Sequence, residues 1–102
     1  MTESIDTIFR IEEDGAVTAF FPKVPASGTD SRVVLCYAHV GQHGSAVHEF
    51  YATQTRPCAP ADWLDLYSEL CALGYSPVVR QRWTYQMDQA RRNRWAAIRA
   101  AE

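Results

Sequence analysis

Thr7-Ile8-Phe9-Arg10-Ile11-Glu12-Glu13-Asp14-Gly15-Ala16-Val17-Thr18-Ala19-Phe20-Phe21 sets two alternating runs on either side of Asp14-Gly15, the strongest short-range signal for a β-hairpin. Two registers compete. A two-residue turn pairs Glu13 with Ala16. A three-residue turn with Gly15 in the left-handed conformation pairs Glu12 with Ala16. The second register places Phe9, Ile11, Val17, Ala19 and Phe21 on one face, whereas the first mixes the faces. The pattern therefore predicts the three-residue turn.

Working outward, residues 1–6 are polar and are expected to fray. Pro22 is expected to end the hairpin, and residues 22–32 read as a loop by composition. Residues 33–40 form a third strand, apolar on both faces until Tyr37 and His39, and so interior to the sheet. Gly41 and Gly44 argue for a structured turn over 41–45. Residues 47–53 alternate weakly, as a short edge strand or an ordered loop would. Residues 60–73 are the clearest helix. Pro60 suits the first turn, Asp62 and Asp65 favour its positive end, and Trp63, Leu66, Tyr67, Leu70 and Leu73 recur at helical spacing. Gly74-Tyr75 reads as a left-handed C-cap followed by its apolar contact. Residues 76–83 return as a strand, and 85–101 form a second helix. The expected fold class is α+β. It has an antiparallel sheet of three to five strands (β-β-β-(β)-α-β-α), helix 60–73 on one face and an Arg-rich C-terminal helix.

A chain of 102 residues accommodates one domain, 1–102, with 84–102 as a C-terminal helical extension. Its net charge of −2 hides an asymmetry. Residues 1–75 carry four basic against ten acidic side chains, whereas residues 76–102 carry six arginines against Asp88 and Glu102. The cysteines Cys36, Cys58 and Cys71 are odd in number and include no closely spaced pair, against a disulfide framework. With no secretory signal pattern and no run long enough to span a membrane, the expected compartment is the cytoplasm.

Three motifs carry a resemblance. They are Phe20-Phe21-Pro22-x-x-Pro25-Ala26, then Cys36-Tyr37-x-His39-x-Gly41-Gln42-His43-Gly44, then Ala59-Pro60-x5-Leu66-x3-Leu70-x2-Leu73-Gly74-Tyr75. Together, over roughly residues 8–82, they make the chain similar to a group of small uncharacterised phage and integrative-element proteins with a His-x-Gly-Gln-His motif. The resemblance implies a mobile-element setting and no particular chemistry. Where similar chains tend to have Thr before the helix proline, this one has Ala59, losing a side-chain cap of roughly 1 kcal/mol. The Arg-rich helix lies outside the resemblance.

All three histidines fall within the segment 36–49, which therefore holds most of the groups able to do chemistry near neutral pH. Cys36, His39, His43 and His48 are spaced compatibly with zinc. They match no finger pattern, however, and strand alternation points Cys36 and His39 to opposite faces. No metal or cofactor is expected on this ground. Cys58 with a histidine base, or the pair His48-Glu49, would be the catalytic candidates. Ser45 lacks a nucleophile-elbow frame, and Gly41-x-x-Gly44 is too short for a phosphate loop. The expectation is a protein that is not an enzyme. His39, Gln42 and His43 stand as candidate contacts or turn supports. Arg80, Arg82, Arg91, Arg92, Arg94, Trp95 and Arg99 combine charge with aromatic surface, the composition of binding interfaces.

The reading that results is a small non-enzymatic phage or mobile-element protein that occludes a macromolecular partner by stoichiometric binding. An anti-CRISPR-like inhibitor of a bacterial host defence complex is its concrete form. A nucleic-acid-binding module using the same arginines is the alternative, and a zinc-supported binding domain the third. No membrane partner is expected. Trp95 with the alanines at 90, 97 and 101 would also suit a helix-mediated homodimer.

Overall fold

A computed structural model describes residues 4–38 and 42–102. The hairpin that opens the chain forms in the three-residue register. Strand β1 (Ser4–Glu12) pairs antiparallel with β2 (Val17–Pro25), with Phe9 opposite Ala19 and Ile11 opposite Val17. Glu12 N–H donates to the Ala16 carbonyl at 2.8 Å, and Gly15 takes φ +91°, a conformation costly for a residue with a Cβ. The Asp14 carboxylate accepts from Ala16 N–H and closes the turn.

Two strands extend the sheet beyond β2: β3 (Val34–Ala38) and β4 (Gln42–Ala46), paired antiparallel with Ala38 opposite Gln42 and Val34 opposite Ala46. The expected third strand is thus interior and begins at Val34 rather than at 33, and its expected end at 39–40 lies outside the described residues. Residues 42–46 are a strand where a turn was expected, and the link at 39–41 lies outside the described residues. Alternation does not announce β4, because Gln42, His43, Gly44 and Ser45 are all exposed; backbone pairing to β3 makes it a strand.

On its other side β1 has two neighbours, end to end. Its second half pairs antiparallel with β5 (Thr55–Pro57) and its first half pairs parallel with β6 (Ser76–Val79). The parallel pair departs from the all-antiparallel expectation, and β6 stops at Val79 rather than running to 83. It also holds residues 4–6 in a strand instead of leaving them frayed. The chain reaches β6 from β5 through the helix between them, which reverses its direction.

Three helices cover the sheet. Helix α1 (His48–Gln54) occupies the segment expected to be an edge strand or loop. At seven residues it is too short to stand alone, and it is held by Tyr51 and Phe50, whose rings lie 5.5 and 6.3 Å from that of Phe20. Helix α2 (Pro60–Ala72) packs on the opposite face. There Phe9, Ala19, Phe21, Tyr37, Leu66 and Leu70 form one core, and Trp63 stacks on Phe9 at 4.7 Å. Leu73, expected in the buried stripe, is 52% exposed because it follows the last helical turn. Helix α3 (Tyr85–Ala100) joins α1 on the first face, where Met87 meets Ile8, Phe20, Val34 and Tyr51 in a second core.

Both ends of α2 are defined without a Ser or Thr cap. Asp62 reaches back to accept Ala59 N–H at 2.9 Å. At the other end Gly74 has φ +101°, Tyr75 N–H donates to the Leu70 carbonyl and Gly74 N–H to that of Cys71. This is the full Schellman arrangement. Gly74→Ala should therefore lower unfolding stability by roughly 1–2 kcal/mol, the cost of forcing a Cβ into this region. Urea denaturation reads it out, and an unchanged midpoint would mean that the cap contributes nothing.

Candidate functional site

The Arg-rich segment begins at a true N-cap. Thr84 is extended, and its hydroxyl accepts Met87 N–H at 3.3 Å. From there the helix runs off the end of the sheet where β2 is irregular. The β2–β3 register breaks between Phe21 and Pro25, so Pro22 does not end the strand but sits in its bulge. Pro22 has no N–H, and its buried carbonyl falls where the ladder is interrupted; such a group needs another donor. Arg91 supplies it. Its Nη1 donates to the Pro22 carbonyl at 2.9 Å and to Asp88 Oδ1 at 2.7 Å, and its Nε donates to the Ser31 carbonyl at 2.7 Å. The residue is only 2% exposed, so Arg91 lies in the interior and not at a partner-facing surface.

Asp88 is fixed in turn by the indole N–H of Trp83 at 2.8 Å. Burial works to raise its carboxyl, but the hydrogen bonds from Trp83 and Arg91, with the charges of Arg91 and Arg92, outweigh it. The group is held below the ordinary Asp value. Further along α3, Trp95 Nε1 donates to the Ser27 carbonyl at 2.8 Å. Arg99 donates to the Gly28 carbonyl while its guanidinium lies 5.1 Å from the centre of the Trp95 ring. The receiving loop is organised from within. The Ser27 hydroxyl accepts the N–H groups of Thr29 and Asp30, and the Asp30 carboxylate accepts from Arg32, which holds its pKa down at about 2.

The seven residues singled out on the C-terminal segment thus divide. Arg91, Trp95 and Arg99 fasten α3 to the segment 22–31. Arg80 lies 3.4 Å from Asp6, which also binds Lys23 at 3.0 Å. Arg82, Arg92 and Arg94 are exposed and make no ion pair among the described residues. Tyr85, one helical face with Arg92, is 70% exposed.

The histidine segment is not one site. His39 lies outside the described residues. In β4, His43 stands opposite Tyr37 and Gly44 opposite Cys36, so His43 and Cys36 face opposite sides of the sheet. His48 is at the start of α1, edge-on to Trp83 at 4.9 Å. No group of three metal-binding side chains comes together among the described residues. His43 packs edge-on to Tyr37 at 4.7 Å, and its Nε2 lies 2.8 Å from the Tyr75 hydroxyl. The buried Tyr37 hydroxyl donates to Glu69 on α2. His43 thus supports the link between β4 and the segment that follows α2, through its contact with the Tyr75 hydroxyl. Gln42 is exposed on the other face, in an apolar groove of about 560 Å³ that includes Cys36, Ala38, Ala46, Val47 and Phe50. Burial pushes the thiols of Cys36 and Cys58 up, so neither is a thiolate near neutral pH. No helix is long and apolar enough to cross a membrane among the described residues.

No signal short of the tertiary structure marked Glu69, Tyr75 or Ser31 as partners of these residues. The Asp88-Arg91 spacing of three was visible as a helix-surface pair. No protein-family model, curated protein or solved structure matches the chain.

Arg91→Ala leaves the Pro22 and Ser31 carbonyls and Asp88 without their donor, and should cost about 3 kcal/mol in chemical denaturation. Arg91→Lys should recover little of it, because an ammonium cannot span the same fork. A wild-type midpoint for Arg91→Ala would contradict this assignment. The lowered Asp88 carboxyl stabilises the fold fully above the ordinary Asp value. That contribution fades as pH falls through the folded-state value. Asp88→Asn should flatten this part of the acid limb of a stability-against-pH curve; an unaltered limb would show that the pair is not linked to folding.

Proposed function

We propose that this chain is a small non-enzymatic binding protein of phage or mobile-element type, acting by stoichiometric occlusion of a protein complex in the bacterial host. Inhibition of a defence complex, in the manner of an anti-CRISPR protein, is the concrete form of the proposal. The observation that carries it is the division of labour on α3. Buried Arg91 and half-buried Trp95 hold the helix against the segment 22–31, while Tyr85, Arg92 and Arg94 stay exposed on it. A helix held in one position presents its side chains at little entropic cost on binding, and Tyr and Arg dominate the energetics of interfaces. The mobile-element setting is supported by the three motifs around Phe20-Phe21-Pro22, His43-Gly44 and Leu73-Gly74-Tyr75.

A second reading, nucleic-acid binding, is favoured by the same exposed Arg82, Arg92 and Arg94, without an ion pair among the described residues, and by Tyr85 on the helical face of Arg92. It is opposed by the acidic turn at Glu12, Glu13 and Asp14 and the net charge of −2.

Affinity capture from a native bacterial host tests the first reading. The wild-type chain should retain a protein complex in fixed stoichiometry, and Tyr85→Ala combined with Arg92→Glu and Arg94→Glu should lose it while unfolding at the wild-type temperature. Equal capture by the triple variant would move the interface elsewhere. Binding to mixed-sequence DNA or RNA that weakens steeply with salt would favour the second reading.

A further inference from the structure

Strand β4 ends the sheet. One of its edges pairs with β3, and the other has no strand beside it among the described residues. Such an edge is a row of backbone donors and acceptors that another extended backbone can satisfy, and proteins usually protect it with Lys, Pro or a bulge. Gln42-His43-Gly44-Ser45-Ala46 has no charged residue or proline, and β4 pairs with β3 over all five residues without a register shift. The opposite margin is built differently: it consists of two short strands end to end, β5 and β6, and each carries a proline, Pro57 and Pro77.

We infer that β4 is a self-pairing edge, and that its partner is β4 of a second copy of this chain, joined antiparallel about a two-fold axis at Gly44. This register uses all five residues. It sets Gln42 opposite the second copy's Ala46 and His43 opposite its Ser45. The small Gly44 meets itself on the axis, where a larger side chain would meet its own copy. No like charges oppose each other, which matters because every edge residue occurs twice in such a pair.

Charge is arranged to suit the antiparallel direction, at a range of several strand widths where salt screens most of the attraction. Glu12, Glu13 and Asp14 lie in the β1–β2 turn, at the same end of the sheet as Gln42. Helix α3 with Arg92, Arg94 and Arg99 leaves at the opposite end, beside the segment 22–31 that receives Arg91 and Arg99. Antiparallel pairing turns the acidic end of one copy toward the basic end of the other. Parallel pairing would set like ends together. On the face that carries Cys36, Ala38 and Ala46, the two apolar grooves of about 560 Å³ each become neighbours across the axis. A five-residue strand pair buries less than the ~1,200 Å² of a standard stable interface, so the association is reversible and dilution dissolves it.

The inference is independent of the partner-binding role of α3. Sedimentation velocity on the wild-type chain, from micromolar to millimolar protein, should show a reversible shift from monomer to dimer. Ser45→Lys and, separately, Gln42→Lys should remain monomeric over the whole range while unfolding at the wild-type temperature. Leu64→Lys, on exposed α2, should dimerise as the wild type does. A wild-type monomer at every concentration would overturn the proposal and leave the edge to a foreign strand. So would a dimer that both lysine variants preserve.

Discussion

One buried guanidinium organises one end of this molecule. Arg91 bonds two carbonyls of the segment 22–31 and one carboxylate of its own helix, with 2% of its surface exposed. Removing such a charge from water costs several kcal/mol, and only near-complete hydrogen bonding offsets that. The arrangement therefore tolerates little displacement. It fixes the bulge at Pro22, the loop that follows it and the azimuth of α3 together. Trp95 and Arg99 add two further bonds to the same loop, at the carbonyls of Ser27 and Gly28. A proline without a donor and an arginine with several solve the same local problem from opposite sides.

The sheet supplies what Arg91 is anchored to. Its two faces are both covered, by α2 on one and by α1 with α3 on the other, and Phe20 and Phe21, adjacent in sequence, each sit at the centre of a different core. That explains the continuous apolar run through β2: a strand buried on both faces does not alternate. The consequence for binding is positional. Side chains on the outer surface of α3 are carried by a helix that is part of the layered structure, and the β4 edge is carried by the sheet itself. Both surfaces are preorganised, which lowers the ordering cost of engaging a partner.

Much of this was legible in the residues. Asp14-Gly15 and the requirement that Phe9, Val17, Ala19 and Phe21 share a face selected the correct hairpin register. Pro60, the Leu66 and Leu70 spacing and Gly74 marked α2 and its cap to within a residue. The failures have physical causes. Helix α1 is too short for helical periodicity to rise above strand-like alternation, and it owes its form to the contacts of Phe50 and Tyr51 with Phe20. The strand β5 has three residues, two of them exposed, and no pattern of its own. The parallel direction of β6 depends on how α2 returns the chain, which local sequence does not encode. The arginines misled most. Charge was read as exposure, yet Arg91 is interior, because its partners Pro22 and Ser31 lie 60 and more residues away in the chain. The histidines misled in a milder way. Proximity in sequence suggested one site, while the pleat of β4 and the start of α1 separate His43, His48 and Cys36.

The account turns on α3 being locked into the fold by Arg91 and its neighbours. Native-state amide hydrogen exchange measures this directly, since it resolves the opening free energy of each segment. The central turns of α3, around Arg91, should exchange with opening free energies matching those of β2, so that helix and sheet open in one cooperative event. If those amides exchange through a low-energy opening while β2 stays protected, α3 is a loosely attached appendage, and the central claim fails.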